Sequence, residues 1–218
     1  MLDYVVVHEL AHRRHMNHSK EFWEEAETYM PDYKERKKIE GDSHMKKVIV
    51  IGSPGAGKST FSRKLMEKTG LPLFYLDMLW HKADKTNVSR EEFDEKLKEI
   101  LQQESWIIDG NYLRTLRLRL EACDTVFFLD YPLGVCLEGA KSRVGKERED
   151  MPWKETELDE EFRQYIVDFP KDQLPEMYQI LEEYAGKRDV ITFRSREASE
   201  EYWRKENEEL SGSKCKNY

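Results

Sequence analysis

The chain has 218 residues, 37% of them charged, and a formal net charge of −8. That length fits one large domain or one medium domain with an appendage, and the acidic balance argues against non-specific attraction to nucleic acid or anionic lipid. No apolar run approaches the ~20 residues of a membrane span and no signal-peptide pattern is present, so a cytoplasmic protein with neither a membrane nor a nucleic-acid partner is expected.

Five of the six histidines, at positions 8, 12, 15, 18 and 44, lie in the first 44 residues. His8-Glu9-Leu10-Ala11-His12 is an H-E-x-x-H pattern. On a helix it puts two imidazoles one turn apart on one face, with Glu9 beside them as a base, an arrangement that holds one Zn²⁺. With His18 as a third ligand, the stretch from His8 to Trp23, followed by Pro31 to Arg36, resembles the active-site helix and closing end of SprT-like metallopeptidase proteins. The resemblance implies a zinc hydrolase fragment, and an amphipathic helical appendage with leftover histidines is the alternative reading. Cys123, Cys136 and Cys215 are odd in number and lack C-x-x-C spacing, which points to free thiols.

Composition shifts near residue 44, so the expected organisation is a helical appendage over 1–43, a core over 44–210 and a tail over 211–218. Ser43-His44-Met45 fits either a former start codon or the scar of a common cloning site. The core opens with Val48 to Ile51, an apolar β-branched run suited to a central parallel strand, followed by Gly-x-x-x-x-Gly-Lys-Ser. This is a P-loop pattern. Gly52, Ser53, Pro54, Gly55, Ala56 and Gly57 are the loop that turns backbone N–H groups toward phosphate, with Lys58, Ser59 and Thr60 opening the next helix. Lys58 reaches the β and γ positions and the Ser59 hydroxyl ligates Mg²⁺, so ATP and Mg are the expected cofactors.

That helix is expected to stop at Thr69-Gly70. Leu73 to Leu76 reads as a short buried strand ending at Asp77, which places Asp77, Trp80 and His81 at the ligand-binding edge of an open sheet; a helix-capping aspartate beside a packing tryptophan is the plainer reading. Ser89-Arg90-Glu91-Glu92 forms a capping pattern for a helix to about Gln102, with Phe93, Leu97 and Ile100 facing inward.

Trp106 to Asp109 is the third strand, and Asp109 could hold the Mg²⁺ shell or orient an acceptor. Thr125 to Leu129 is the fourth strand, ending in a third acid at Asp130. The P-loop, Tyr75 to Trp80, Asp109-Gly-Asn-Tyr112, Arg119-Leu and Phe128 to Pro132 together resemble the adenylate-kinase-related proteins labelled DNA topology modulation proteins, over about residues 46–205. The resemblance implies a nucleoside monophosphate kinase type of fold, with Arg119 among the phosphate-binding cations and Asp77, Trp80, Asp109, Asn111 and Tyr112 around the acceptor.

It further implies that the basic stretch Lys141 to Asp150 is a lid, with Arg143 and Arg148 as the pair that closes over the γ-phosphate; a solvated helix end with ion pairs is the alternative. Helices are expected from Glu160 to Phe169, Pro175 to Tyr184 and Glu197 to Leu210, with a fifth strand over Asp189 to Phe193. The loop at Ser195 either borders the base or caps the last helix.

The fold expected is therefore α/β, a doubly wound five-stranded parallel sheet with a small helical appendage. The expected activity is Mg·ATP-dependent phosphoryl transfer through Lys58, Arg119, Arg143 and Arg148 to a small-molecule or nucleotide acceptor, with Asp77 as base for a hydroxyl acceptor. Where adenylate kinases place arginines in the acceptor site, this chain has Leu79-Trp80 and Asn111-Tyr112, which argues against AMP. The alternatives are an ATP-binding regulatory or nucleic-acid-associated protein with slow hydrolysis and, using the first block, a zinc hydrolase.

Overall fold

The computed structural model describes residues 45–214, together with the single position Thr28. The appendage over 1–43, and with it His8, His12 and His18, lies outside the described residues.

The sheet is built around β1 (Lys47–Gly52), whose residues from Val48 onward are buried. It pairs on one side with β3 (Trp106–Asp109) and on the other with β4 (Thr125–Leu129); β2 (Leu73–Tyr75) lies outside β3 and β5 (Asp189–Phe193) outside β4. Every pair is parallel, in the order β2-β3-β1-β4-β5. Parallel neighbours need crossover connections, and here helices supply them.

Side chains alternate across a strand, so the unbroken apolar run of β1 feeds two cores at once. Ile49 and Ile51 face one, with Phe93 and Leu97 of α3 (Arg90–Leu101), Leu116 and Leu120 of α4 (Leu116–Ala122), Phe169 of α6 (Glu160–Asp172) and Met177 of α7 (Leu174–Glu183). Val48 and Val50 face the other, with Phe61 and Leu65 of α1 (Lys58–Thr69), Cys136 of α5 (Leu133–Lys141) and Trp203 of α8 (Arg196–Lys214). Each such side chain, once fully buried, contributes roughly 1.5–3 kcal/mol. Cys123 and Cys136 are buried free thiols.

Helix ends follow the local chemistry. Gly70 closes α1 in the left-handed conformation and donates its N–H to Met66 O at 2.8 Å, while the Ser89 hydroxyl accepts from Glu92 N to open α3. Several boundaries differ from expectation, α7 and the start of α8 by one residue. β2 ends at Tyr75, because Leu76 turns inward, fully buried, and begins the short helix α2 (Leu76–Trp80); Asp77 thus sits in a helical first turn rather than at a strand end. α6 runs through Pro170 to Asp172, where the proline forfeits one bond close to the helix end. α8 extends to Lys214, four residues beyond the expected stop. Among the described residues no helix is long and apolar enough to cross a membrane.

Candidate active site

β1 and β3 end side by side, and their exit loops form the floor of a cleft of about 750 Å³. The P-loop leaves β1 with a tight approach to α5. A Cβ on Gly55, whose φ is +82°, would lie 2.0 Å from Cys136 O, so only glycine lets the loop lie against that helix. Lys58, the first residue of α1, folds back over the loop and donates through Nζ to Gly52 O at 3.0 Å and Ser53 O at 3.2 Å. Burial holds its pKa below the ordinary lysine value, opposed chiefly by attraction to Asp109. The ammonium is thereby poised over the loop on weak carbonyl partners that a phosphate oxygen can replace.

Asp109, the last residue of β3, is 4% exposed, and burial pushes its carboxyl up to about 6 against the attraction of Lys58. The chain then passes through Gly110, Asn111 and Tyr112. Asn111 Oδ1 accepts from Gly52 N at 3.0 Å, which ties this loop to the start of the P-loop. Tyr112, with a φ of +37°, donates through its hydroxyl to Asp77 Oδ1 at 2.9 Å and stacks on Phe93 with ring centroids 5.1 Å apart. Burial, then the Asp77 carboxylate, keep that phenol protonated.

Arg119 sits elsewhere than expected. It is fully buried beneath the loop, with Nη1 donating to Gly110 O at 2.7 Å and Nη2 to the carbonyls of Asn111 and Tyr112. It does not line the cleft. Burial lowers its pKa to about 10, which still leaves it charged at neutral pH. The guanidinium fork takes up the carbonyls of Gly110 and Asn111 and shares that of Tyr112 with Thr115, so the residue shapes this loop from beneath. Arg114 and Arg117 are also spoken for, in pairs with Asp94 and Glu183 on the outer surface.

The stretch after α5 crosses the P-loop as an irregular segment rather than a helix end. Asp150, 4% exposed, accepts the Ser59 hydroxyl at 2.7 Å and the Arg148 guanidinium at 2.7 and 3.2 Å. Arg148 also donates to Glu155 at 2.8 Å, and Arg63 of α1 stands 3.9 Å from Asp150. Hydrogen bonds from Arg148 and Ser59 hold the Asp150 carboxyl near 2 despite burial. Arg143 is half-buried in the same cleft, and among the described residues no carboxylate lies within ion-pair distance of it. Its pKa is lowered by burial and then by Arg148. It is a desolvated cation facing the space above the P-loop.

Asp77, Trp80, Asp109, Asn111 and Tyr112 thus line one cleft together with Lys58, Ser59, Arg143 and Arg148. A second cavity of about 540 Å³ opens on the other side of the loop, past Gly57 and Thr60 toward Arg196 and Trp203. Ser195 caps α8, its hydroxyl accepting from Ala198 N at 3.2 Å. Sequence reasoning gave no role to Asp150, Trp153 or Tyr165, which also line the first cleft. For Asp150 a signal existed: Ser59 and Arg63 lie one helical turn apart, a hydroxyl and a cation on one face awaiting an acid.

The residues fit Mg²⁺ and a nucleoside triphosphate. Magnesium takes hard oxygen ligands, usually one or two carboxylates besides phosphate and water, and the Ser59 hydroxyl with Asp109 and Asp150 supplies that donor set beside a desolvated lysine and arginine. Among the described residues no group of three or more His, Cys, Asp or Glu side chains is arranged as an all-protein metal cage.

Comparison with known proteins agrees with this architecture. A family model described as YgjP-like, metallopeptidase domain, matches residues 1–39. Adenylate kinases of Thermotoga neapolitana and Thermotoga maritima are each 32% identical over 88 residues, 39% of this chain and 39% of theirs. The chain thus aligns with about two-fifths of the length of these curated relatives. Shikimate kinase from Acinetobacter baumannii, solved in complex with shikimate, is 17% identical and covers 81% of this chain and 99% of its own at a TM-score of 0.50. At that identity the likeness speaks for the fold alone. The fold is that of a P-loop protein of the nucleoside monophosphate kinase type.

Proposed function

We propose that this protein is a Mg·ATP-dependent phosphotransferase acting on a small-molecule acceptor, in line with its resemblance to adenylate-kinase-related proteins and with the partial match to adenylate kinases. The observation that carries the reading is the convergence of Lys58 and the carboxylate-free Arg143 on one P-loop, opposite a separate wall carrying Asp77. Phosphoryl transfer asks mainly for positioning and for fixed positive charge around the transferring group.

Gly55, Ala56 and Gly57 cradle the phosphates, Lys58 and Arg143 neutralise charge on the γ-phosphoryl oxygens, and Arg148 braces the lid through Asp150 and Glu155. Ser59 would hold magnesium, with Asp109 and Asp150 in reach, and the ion would supply positive charge to the phosphate groups. Asp77 takes the proton of a hydroxyl acceptor. Arg119 serves as a positioning residue for the loop that carries Asn111 and Tyr112. The nucleoside of ATP extends past Gly57 into the second cavity, toward Arg196.

The test is acceptor-dependent ADP release from the full chain. Lys58→Ala is expected to lower turnover at least a thousandfold, and unchanged turnover would remove the P-loop from the reaction. Residues 1–43, with a domain boundary near 44, are assigned no part in this chemistry.

A further inference from the structure

From the distribution of charge and aromatic rings in the larger cleft, we infer that the phosphoryl acceptor is an uncharged alcohol carrying a flat ring, a nucleoside-like molecule, and not a phosphate or carboxylate compound. The inference rests on the phosphotransfer reading above and concerns the wall facing away from the P-loop.

That wall is aromatic. Trp80 and Tyr112 meet edge to face with centroids 6.3 Å apart, His81 and Trp153 pair at 5.1 Å across the cleft mouth, and Tyr165, 42% exposed, lines the same cleft. Ring pairs at such spacing touch each other and so form a continuous apolar wall against whose open faces another flat ring can pack, and tyrosine and tryptophan do so at little cost in side-chain entropy.

Among the described residues the wall also offers no arginine fork. Of the cations lining the cleft, Lys58, Arg143 and Arg148 belong to the P-loop end, and the remaining two, Lys85 and Lys154, are exposed. The nearby arginines are committed: Arg114 to Asp94, Arg117 to Glu183 and Arg119 to three backbone carbonyls. Recognition of a phosphate or carboxylate in a half-buried site relies on bidentate guanidinium contacts. Here the fixed charge is instead Asp77, with Asp159 and Glu161 at the rim, and like charge placed opposite an anionic acceptor repels it.

Asp77 completes the assignment. Its Oδ1 accepts the Tyr112 hydroxyl at 2.9 Å, which fixes the carboxylate and leaves Oδ2 for the acceptor. In the transfer, the acceptor oxygen forms a bond to the γ-phosphorus, the bond from that phosphorus to the β–γ bridging oxygen breaks, and ADP carries off the electron pair. The hydroxyl proton passes to Asp77 Oδ2, and the products are ADP and a phosphate ester.

The experiment measures ADP release by the full chain with Mg·ATP and three sets of probes: adenosine and thymidine, then AMP and thymidine monophosphate, then glycerate and gluconate. A nucleoside is expected to raise the rate at least tenfold over the acceptor-free rate, with the anionic probes within twofold of it. For that nucleoside, Asp77→Asn should cut kcat at least a hundredfold with KM little changed. Tyr165→Phe, which keeps the ring on Phe169, should leave the nucleoside's KM within twofold, whereas Tyr165→Ala, with its fold checked by a thermal melt, should raise that KM about fivefold and leave the KM for ATP alone. Stimulation by a monophosphate or a hydroxy acid, but by neither nucleoside, overturns the inference and leaves phosphotransfer standing. A flat response to all three sets overturns the phosphotransfer reading and this inference with it.

Discussion

The Ser59 hydroxyl donates to the Asp150 carboxylate at 2.7 Å, across 91 positions of sequence, and so joins the first turn of α1 to the segment that crosses above it. The same carboxylate takes two bonds from Arg148. One acid therefore fixes both a P-loop hydroxyl and Arg148.

Asp150→Asn should consequently loosen the segment that follows α5. Removing the charge from a pair whose side chains are 12% and 5% exposed is expected to cost about 2 kcal/mol, short of the full loss of a buried ion pair because asparagine keeps some hydrogen bonds. The folded-state carboxyl lies near 2, below its usual 3.8. Its contribution is thus complete above pH 4 and fades as pH falls toward 2. Thermal melts at pH 7 should drop by about 4–8 °C, with a higher KM for ATP; an unaltered melt would show that the contact bears no load.

Asp109 makes the opposite pH prediction. Its carboxyl is raised from 3.8 to about 6 in the folded protein, so the unfolded chain ionises first as pH rises. Stability then falls between pH 4 and pH 6 by about 3 kcal/mol and levels off above. Asp109→Asn removes that loss. The difference in thermal midpoint, variant minus parent, should grow from pH 4 to pH 6 and stay constant beyond, while turnover falls at least tenfold; a pH-independent difference would count against a buried, titrating carboxyl.

Arg119 provides a test of position against contact. Arg119→Met leaves the carbonyls of Gly110 and Asn111 without this donor, while Tyr112 O keeps Thr115, and should cost about 3 kcal/mol. Because the loop it supports carries Asn111 and Tyr112, the KM for acceptor should rise at least tenfold, with the KM for ATP within twofold. Loss of ATP affinity with acceptor binding intact would instead place the guanidinium on phosphate.

A chain beginning at Met45 should fold and bind ATP as the full chain does, since β1 starts at Lys47 and the P-loop and both cavities draw on residues after it. Calorimetric ATP titration and a thermal melt of both lengths, each with and without a chelator, measure this. Loss of ATP binding on truncation, or chelator-induced unfolding of the core, would make the histidine-rich block integral to it.

The amino-acid sequence by itself determined the P-loop, the five strands and their parallel packing between helices, because those features are written in neighbouring residues. An apolar run fit for burial on two faces, a glycine pattern ahead of Lys58, and Gly70 or Ser89 at helix ends each act within a few positions. The membership of Asp77, Trp80, Asp109, Asn111 and Tyr112 in one cleft followed as well, since in a parallel sheet every strand delivers its last residues to the same edge. Only the tertiary structure decided what each polar group is bonded to. Arg119 and Arg114 look alike as basic residues on consecutive turns, yet one is buried under carbonyls and the other pairs with Asp94 at the surface. Asp150 read as the end of a basic stretch until Ser59 stood beside it. A backbone conformation is settled by short-range sterics, whereas the partner of a charge depends on which distant segment folding brings within about 3 Å.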